Sequence, residues 1–398
     1  MGLCRGHYRQ DLVSLKRAGR EPARRFVGRE ITIQICVYAI CKNEARFARR
    51  WYSSMSEADA VYVLDTGSED GSAELLTELG AVVQRQDVLP WRFDRARNLS
   101  LQLVPRSADI CVCTDLDEVF CPGWRVALER AWTPETTQAR YEYIWSFDAQ
   151  GRDDVSFFAE KIHSRQNYIW RGAVHEVPVC TTGVPRFTLA RGVRLEHYPD
   201  AAKSRGQYLP LLEQAVQEEP ENDRMVHYLG REYMFVGRWS ESIRTLQRHL
   251  ELPRATWRDE RCASMRFIAR CWLHLQRRDE AEQWLLRACA EAPWLREPWV
   301  ELAGFCTESG DAAGALFAAL RALEISERPC SYITEGVCWG ALPHDLAALA
   351  AWKLGLYDLA VREGEAALAL SPEDGRLAEN LRFYRLGPAC GADRTSGI

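Results

Sequence analysis

Residues 109–120 read DICVCTDLDEVF, an apolar run that ends on three carboxylates within four positions, Asp115, Asp117 and Glu118. A run this short and this apolar fits a strand buried on both faces. Such a strand needs neighbours beside it and cover above and below, so it demands a layered domain and leaves the acids at one edge of a sheet. A solvated turn after a core strand would also put acids there, and the rest of the chain decides between the two.

Up to about residue 200, short apolar runs alternate with helix-like segments. Residues 31–40 (ITIQICVYAI) predict a first strand, and the segment after Asn43 predicts a helix through Trp51 and Met55. Residues 60–65 (AVYVLD) predict a second strand ending at TGSEDGS, where Gly and Ser signal a turn and a helix start. A helix with Leu75, Leu76 and Leu79, a strand at 81–85, a helix around 96–104 and the strand at 109–114 follow. Strands this apolar, spaced by helices, predict a Rossmann-like α/β domain with a mostly parallel sheet covered on both faces. Ligands of such sheets bind at the carboxyl ends of the strands, where Asp65 and the Asp115/Asp117 pair fall.

After about residue 205 the strands stop. Residues 228–252 read as two amphipathic helices with a turn at Gly237, and similar turns recur at Gln276, Gly310 and Gly355. These turns are 39, 34 and 45 residues apart, the middle spacing matching the tetratricopeptide (TPR) period. The small residue five positions on (Ser242, Ala281, Ala315, Ala360) fits the close packing of paired helices, and Pro220, Pro293 and Pro372 stand at repeat ends. The expected organisation is a basic N-terminal extension (1–30), the α/β domain (31–204), an all-α TPR-like helical-repeat domain (205–386) and a C-terminal tail (387–398). Repeats of this kind present a concave surface suited to binding or to forming a homodimer.

Composition sets limits on function. Apolar content of 47%, with 27% charged residues and a net charge near −5, is that of a soluble protein with no global basic field to attract nucleic acid or membrane. The fourteen cysteines include no C-x-x-C pair, and Cys36, Cys111 and Cys113 lie inside apolar runs. They read as reduced core residues of a cytoplasmic protein. No apolar stretch approaches a membrane span, and the Arg-rich first thirty residues lack the apolar centre of a secretory signal. Trp51, Trp91, Trp124 and Trp132 read as packing residues, with Trp91 in PWRFD also placed where it could border the prospective pocket.

The acids at the sheet edge suggest a common purpose. Oxygen ligands at i and i+2 after a strand can hold Mg²⁺ or Mn²⁺, which in turn grips phosphate oxygens. Glu44 and Asp65 could accept hydrogen bonds from a base or ribose, and Arg97 and Asn98, in PWRFDRARNLS, offer a phosphate or base partner. These residues describe a nucleotide-diphosphate pocket. Neither G-x-x-x-x-G-K nor G-x-G-x-x-G follows the first strand, which disfavours a P-loop and a dinucleotide fold.

The segments CVYAICKNE, VLDTGSEDGS, ARN and DLDE, in that order, resemble the motifs of family 2 glycosyltransferases of the GT-A fold over residues 31–200. The resemblance implies a GT-A domain taking a nucleotide-diphosphate-sugar, with a UDP-sugar favoured, and inversion at the anomeric carbon. It implies the base near Ala39, Asn43, Glu44 and Asp65, and the metal–diphosphate at Asp115 and Asp117. The TPR-like tail narrows the likeness to bacterial TPR-linked glycosyltransferases. These include the peptide S-glycosyltransferases of glycosylated bacteriocins and relatives that build lipopolysaccharide cores.

An inverting transfer needs a carboxylate to take the acceptor's proton. In the GT-A pattern a Gly-containing loop precedes the acidic motif that holds this base. Trp170, Arg171 and Gly172, then Val174, His175 and Glu176, match that order, with His-Glu in place of the commoner Glu-Asp. Glu176 is the expected base, with Asp153 and Asp154 as rivals in a loop read at GRDD. Trp170 and His175 count with the donor site. His197 ends a strand-like segment (191–200) where GT-A enzymes often place a further metal ligand, and Lys203 and Arg205 could fold over the diphosphate. Lys161 and His163 are secondary candidates for donor phosphate or cleft lining.

The sequence thus predicts an inverting, Mn²⁺- or Mg²⁺-dependent glycosyltransferase. Asp117 and His197 would hold the ion, Asp115 would contact ribose or ion, Arg97 would assist the nucleotide, and Glu176 would activate an acceptor hydroxyl or thiol. The expected acceptor is a peptide or protein side chain. A saccharide (lipopolysaccharide core or envelope glycan) and modified DNA are the alternatives, and a TPR scaffold that only binds nucleotide-sugar is the non-enzymatic one.

Overall fold

The computed structural model describes residues 33–148, 150–200, 206 and 208–387. The basic extension, Lys203, Arg205 and the chain after Gly387 lie outside the described residues.

Strand β1 (Ile35–Cys41) is buried at all seven positions. Its side chains alternate between two cores, as period-two geometry requires. Ile35, Val37, Ala39 and Cys41 pack with Ala48, Trp51 and Met55 of α1 (Ala45–Met55) and Leu76 of α2 (Ser72–Leu79). On the other face Cys36 and Tyr38 pack with Leu101, and Ile40 with Ala96, both from α3 (Phe93–Leu103). Strands β2 (Ala60–Asp65), β3 (Val82–Arg85) and β4 (Ile110–Cys113) join β1 in the all-parallel order β3-β2-β1-β4. Cys41 stands opposite Asp65 and Tyr38 opposite Cys113, so the carboxyl ends of β1, β2 and β4 share one edge.

Beyond β4 the sheet becomes mixed. The remaining elements are β5 (Glu118–Phe120), α4 (Trp124–Ala131), β6 (Gln138–Phe147), β7 (Asp153–Ser164), β8 (Tyr168–Arg171), β9 (Val177–Cys180) and β10 (Phe187–His197). The order is β3-β2-β1-β4-β7-β6-β10-β5, with β7 antiparallel to β4 and β6, β10 parallel to β6, and β5 antiparallel to β10. The sheet is thus mixed, with four parallel pairs and three antiparallel ones, where the sequence predicted a mostly parallel one. The chain from β6 to β7 crosses only residues 148–152, too short for a crossover, so the two strands pair antiparallel. Strands β8 and β9 form a separate hairpin. Asp153 and Asp154, expected in a loop, open β7 instead.

Contacts divide the described chain at Glu219/Pro220. Helix α5 (Tyr208–Glu218) therefore belongs to the sheet unit, beyond residue 204 where the sequence placed the division. Arg92 holds Glu218 there at 2.6 Å.

The second unit is helical throughout. Its helices are α6 (Asp223–Phe235), α7 (Trp239–Glu251), α8 (Arg258–His274), α9 (Arg278–Glu291), α10 (Arg296–Ser309), α11 (Ala312–Leu323), α12 (Leu342–Lys353), α13 (Tyr357–Leu370) and α14 (Gly375–Leu386). The four turn residues read from the sequence all adopt left-handed backbone: φ is 77° at Gly237, 60° at Gln276, 80° at Gly310 and 76° at Gly355. The residue after each donates its N–H to the carbonyl five positions back, Arg238 to Tyr233 at 2.8 Å, and Arg277 to Trp272, Asp311 to Cys306 and Leu356 to Ala351 each at 2.9 Å. This is a Schellman ending, repeated four times.

Ser242, Ala281, Ala315 and Ala360 are fully buried. A second set of small residues, Gly230, Ala269, Ala303 and Ala348, lies one stretch before each turn and is also buried. At the first pair Ser242 Oγ donates to the Gly230 carbonyl at 2.7 Å, and a Cβ on Gly230 would lie 2.5 Å from Leu246 Cδ2. The irregular spacings come from the loops at 252–257 and 324–341, the latter containing a 3₁₀ turn at Gly336–Trp339. No described helix is long and apolar enough to cross a membrane, and the described cysteines carry no disulfide.

Candidate functional site

Asp65 ends β2 with its side chain fully buried. Oδ1 accepts the backbone N–H groups of Gly67 (3.1 Å) and Ser68 (3.0 Å), with Arg85 Nε at 3.6 Å. Oδ2 is buried and has no hydrogen-bond partner. Beside it Asn43, at φ 56°, accepts from Glu69 N at 2.8 Å and takes Ser68 Oγ on its own N–H at 2.9 Å. Asn43 is therefore a stitch between the β1 and β2 loops. Glu44 is buried next to it, its N–H on Ser72 Oγ at 2.8 Å. The Ala39 methyl lies in the core, so any ligand would meet this residue through its backbone.

A charged cluster follows β4. Arg97, on α3, is buried and donates through Nη2 to Asp115 Oδ1, through Nε to Glu176 Oε1 (3.0 Å) and to the Thr114 carbonyl (3.4 Å). Lys161, on β7, stands 3.0 Å from both Asp115 Oδ2 and Glu118 Oε1. Tyr143 donates to Glu118 Oε1 at 2.8 Å, and Glu118 Oε2 accepts the Asp115 N–H. Burial alone would raise the Asp115 carboxyl, but the Arg97 and Lys161 cations overcome it and hold Asp115 far below the usual carboxylate range. Glu118 goes the other way: burial pushes it up, and Lys161 offsets only part of that. Burial also works against the Lys161 charge, yet Asp115 and Glu118 keep its ammonium well above its ordinary value.

These contacts revise three expected roles. Asp115 has both carboxylate oxygens taken by cations, so it is not placed as a metal ligand. Arg97 is buried with its guanidinium spent on Asp115, Glu176 and the Thr114 carbonyl, where a nucleotide contact was expected. Asn98 spends its amide on the Trp170 backbone, with Nδ2 on the carbonyl at 2.9 Å and Oδ1 on the N–H at 2.8 Å. Trp170 itself is a core residue, packed with Cys36, Tyr38 and Leu101.

Asp117 and His197 are brought together, with Oδ2 to Nε2 at 3.6 Å. His197 Nδ1 lies 3.1 Å from the Trp145 carbonyl, which can only accept, so Nδ1 carries the proton and Nε2 turns toward Asp117. A histidine tethered through one nitrogen and facing a carboxylate with the other suits a divalent cation. Among the described residues no third His, Cys, Asp or Glu completes a three-ligand cluster with them. Burial lowers the His197 pKa, but the Asp117 carboxylate more than offsets that and raises it.

The loop after β8 brings Glu176 in through Gly172 (φ 110°) and His175 (φ 51°). A Cβ on Gly172 would lie 3.2 Å from the Val174 carbonyl and 3.3 Å from Glu176 Cα, so only glycine fits this approach. The Gly172 N–H is held by Asp94 at 3.1 Å, and the His175 ring packs near Tyr208 at 5.9 Å. The rival carboxylates are engaged elsewhere: Arg194 closes on both oxygens of Asp153 at 2.7 Å, and Ser146 donates to Asp154 at 3.0 Å. His163 does not line the cleft but is buried in the core. The residues that sequence reasoning underweighted are Lys161, Glu118 and Tyr143. Glu118 stood in DLDE, but Lys161 and Tyr143 carry no local signal.

A cavity of about 450 Å³ beside Thr137, Ser164, Tyr168, Cys180 and Arg186 lies at the opposite edge, because Ser164 pairs with Ile110 at the start of β4. It is not part of this site.

No family model matches the chain, and no curated protein matches it. Solved structures that resemble it include the crystal structure of MamA, at 17% identity over 45% of this chain and 99% of that one, with a TM-score of 0.35. Another is YrrB, described as a TPR protein with an unusual peptide-binding site, at 13% identity over 44% and 82%, with a TM-score of 0.36. A third is a thermophilic TPR protein from Thermus thermophilus, at 16% identity over 46% and 92%, with a TM-score of 0.32. Likenesses of this order identify neither a family nor an activity.

Proposed function

We propose that the sheet unit is an inverting glycosyltransferase domain of GT-A type acting on a nucleotide-diphosphate-sugar, and that the helical unit is a TPR-like array binding the acceptor. The observation that carries this reading is Asp65 Oδ2. A buried carboxylate oxygen without a partner costs about 1–3 kcal/mol, and a ligand that donates to it removes the penalty. A base N–H or ribose hydroxyl is such a donor, and the site lies at the strand-end edge where open α/β sheets bind nucleotides. The sheet order and the four ordered motifs lend further support.

Asp117 and His197 are the residues that would hold Mn²⁺ or Mg²⁺, whose charge would offset that of the departing diphosphate. Glu176, with Oε1 fixed by Arg97, is set to take the acceptor's proton on Oε2. The acceptor oxygen or sulfur bonds to the anomeric carbon as the bond from that carbon to the diphosphate oxygen breaks. The electron pair leaves with the nucleotide, and configuration inverts. A peptide or protein side chain is the proposed acceptor, because a helical array offers a groove suited to an extended chain. Glu176→Gln tests the reading: it is expected to bind donor as the wild type does while transfer and donor hydrolysis fall by about 10²–10⁴-fold. Unchanged turnover would move the base elsewhere.

A further inference from the structure

In the helical unit, three helix ends converge on a buried histidine. Asp223 is the first residue of α6, His249 lies in the last turn of α7 and Glu260 in the first turn of α8. All three are buried, and one ligand-competent atom from each lies within 4.8 Å of the others. His249 Nε2 is buried with no hydrogen-bond partner, and Glu260 Oε1 stands 3.5 Å from it, beyond good hydrogen-bonding distance.

The rest of the imidazole is fixed. His249 Nδ1 lies 2.9 Å from Ser264 Oγ, whose other neighbour is His227 Nδ1 at 2.8 Å. A hydroxyl has one proton, so Ser264 donates to one ring and accepts from the other. When it accepts from His249, Nε2 presents a lone pair toward Glu260 Oε1, an arrangement that repels unless a cation lies between them. Glu260 is itself steered, because Tyr332 Oη donates to Oε2. The Arg224 guanidinium also acts on Glu260, balancing one carboxylate of the pair.

We propose that Asp223, His249 and Glu260 form a divalent transition-metal site of the zinc class, tying α6, α7 and α8 together. One imidazole nitrogen with two carboxylate oxygens suits Zn²⁺ better than Mg²⁺ or Ca²⁺, which take oxygen ligands. With bonds of about 2.0–2.2 Å, two ligands of a tetrahedral ion stand roughly 3.4 Å apart. The 3.5 Å between His249 Nε2 and Glu260 Oε1 is that separation. Ser264 on Nδ1 and Tyr332 on Glu260 supply the outer hydrogen bonds that orient metal ligands. The site belongs to a different unit from Asp117 and His197, and it does not rest on the glycosyltransferase reading.

The test uses the full chain, stripped of metal with a chelator and returned to buffer. Zn²⁺ is titrated in competition with a chromophoric chelator, and Co²⁺ is added separately for its visible spectrum. The variants are Asp117→Ala, His249→Gln and Glu260→Gln. Asp117→Ala is expected to bind one Zn²⁺, and both it and the wild type are expected to show the intense visible bands of low-coordinate Co²⁺. His249→Gln and Glu260→Gln are expected to weaken Zn²⁺ at least about tenfold and to lose the bands. If either substituted chain fails to fold, the wild-type and Asp117→Ala titrations still decide. Absence of Zn²⁺ binding in Asp117→Ala, or binding unchanged in both folded helical-unit variants, would overturn the proposal.

Discussion

Arg97 Nε stands 3.0 Å from Glu176 Oε1 while the same guanidinium closes on Asp115, so one buried cation of α3 sets both the proposed base and the first acid of DLDE. A lysine cannot reproduce this fork. Arg97→Lys is therefore expected to lower kcat for transfer or donor hydrolysis by about 10²-fold, with little change in donor KM. Steady-state kinetics check this. A raised KM with kcat intact would mean that Arg97 touches the nucleotide after all.

Lys161 neutralises two carboxylates at 3.0 Å, and Glu118 is almost wholly buried. Removing the ammonium leaves a buried negative charge without its partner, a change that costs about 3–5 kcal/mol. Lys161→Met should lower the stability of the sheet unit by this order, and Lys161→Met combined with Glu118→Gln should recover part of it. Urea unfolding measures both. A double variant no more stable than the single one would show that the Lys161–Glu118 pair is not the source of the loss.

His163 lies in a polar chain through the core: Trp170 Nε1 donates to Tyr38 Oη at 2.7 Å, Tyr38 donates to His163 Nε2 at 2.7 Å, and His163 Nδ1 donates to the Ser164 carbonyl at 2.8 Å. Burial pushes His163 down to about 4 from its ordinary 6.5. Between those values the unfolded chain binds a proton that the folded chain refuses. The stability contribution is thus complete above the unfolded pKa and is lost as pH falls toward the folded one, by roughly 3 kcal/mol in all. His163→Gln should flatten this slope when unfolding is compared at about pH 5 and about pH 7.5. Equal slopes in the two chains would contradict it.

Gly230 has no room for a side chain, since a Cβ would meet Leu246 Cδ2 and Cγ at 2.5 Å and its backbone N at 3.3 Å. Gly230→Val should destabilise the helical unit by about 2 kcal/mol through overpacking, and adding Leu246→Ala should cost less than the two single effects summed. Thermal unfolding of the three variants tests this, and simple additivity would contradict it.

The features legible in the sequence were local ones. Continuous apolar runs marked β1, β2 and β4, and the turn residues Gly237, Gln276, Gly310 and Gly355 marked four equivalent helix ends, because burial on two faces and left-handed backbone both leave signatures within a few residues. The antiparallel β7 left no such mark: its pattern is mixed, and although β6 directly precedes it, its other partner, β4, lies far back in the chain. For the same reason Lys161 looked secondary, although it bridges Asp115 and Glu118. Asn98 and Trp170 looked like donor contacts because their motif positions fit, but Asn98 binds the Trp170 backbone and the Trp170 ring fills the core. Asp223, His249 and Glu260 come from three different helices, and no spacing rule connects them.

The most direct test of the central claim is calorimetric titration of a panel of nucleotide-diphosphate-sugars with Mn²⁺ or Mg²⁺ present, using the wild type, Asp65→Asn and Asp117→Ala. The account predicts that one donor binds, that binding requires the ion, and that each substitution weakens it at least about tenfold. If no nucleotide-sugar binds, or if binding is the same in all three chains, the sheet edge is not a donor site.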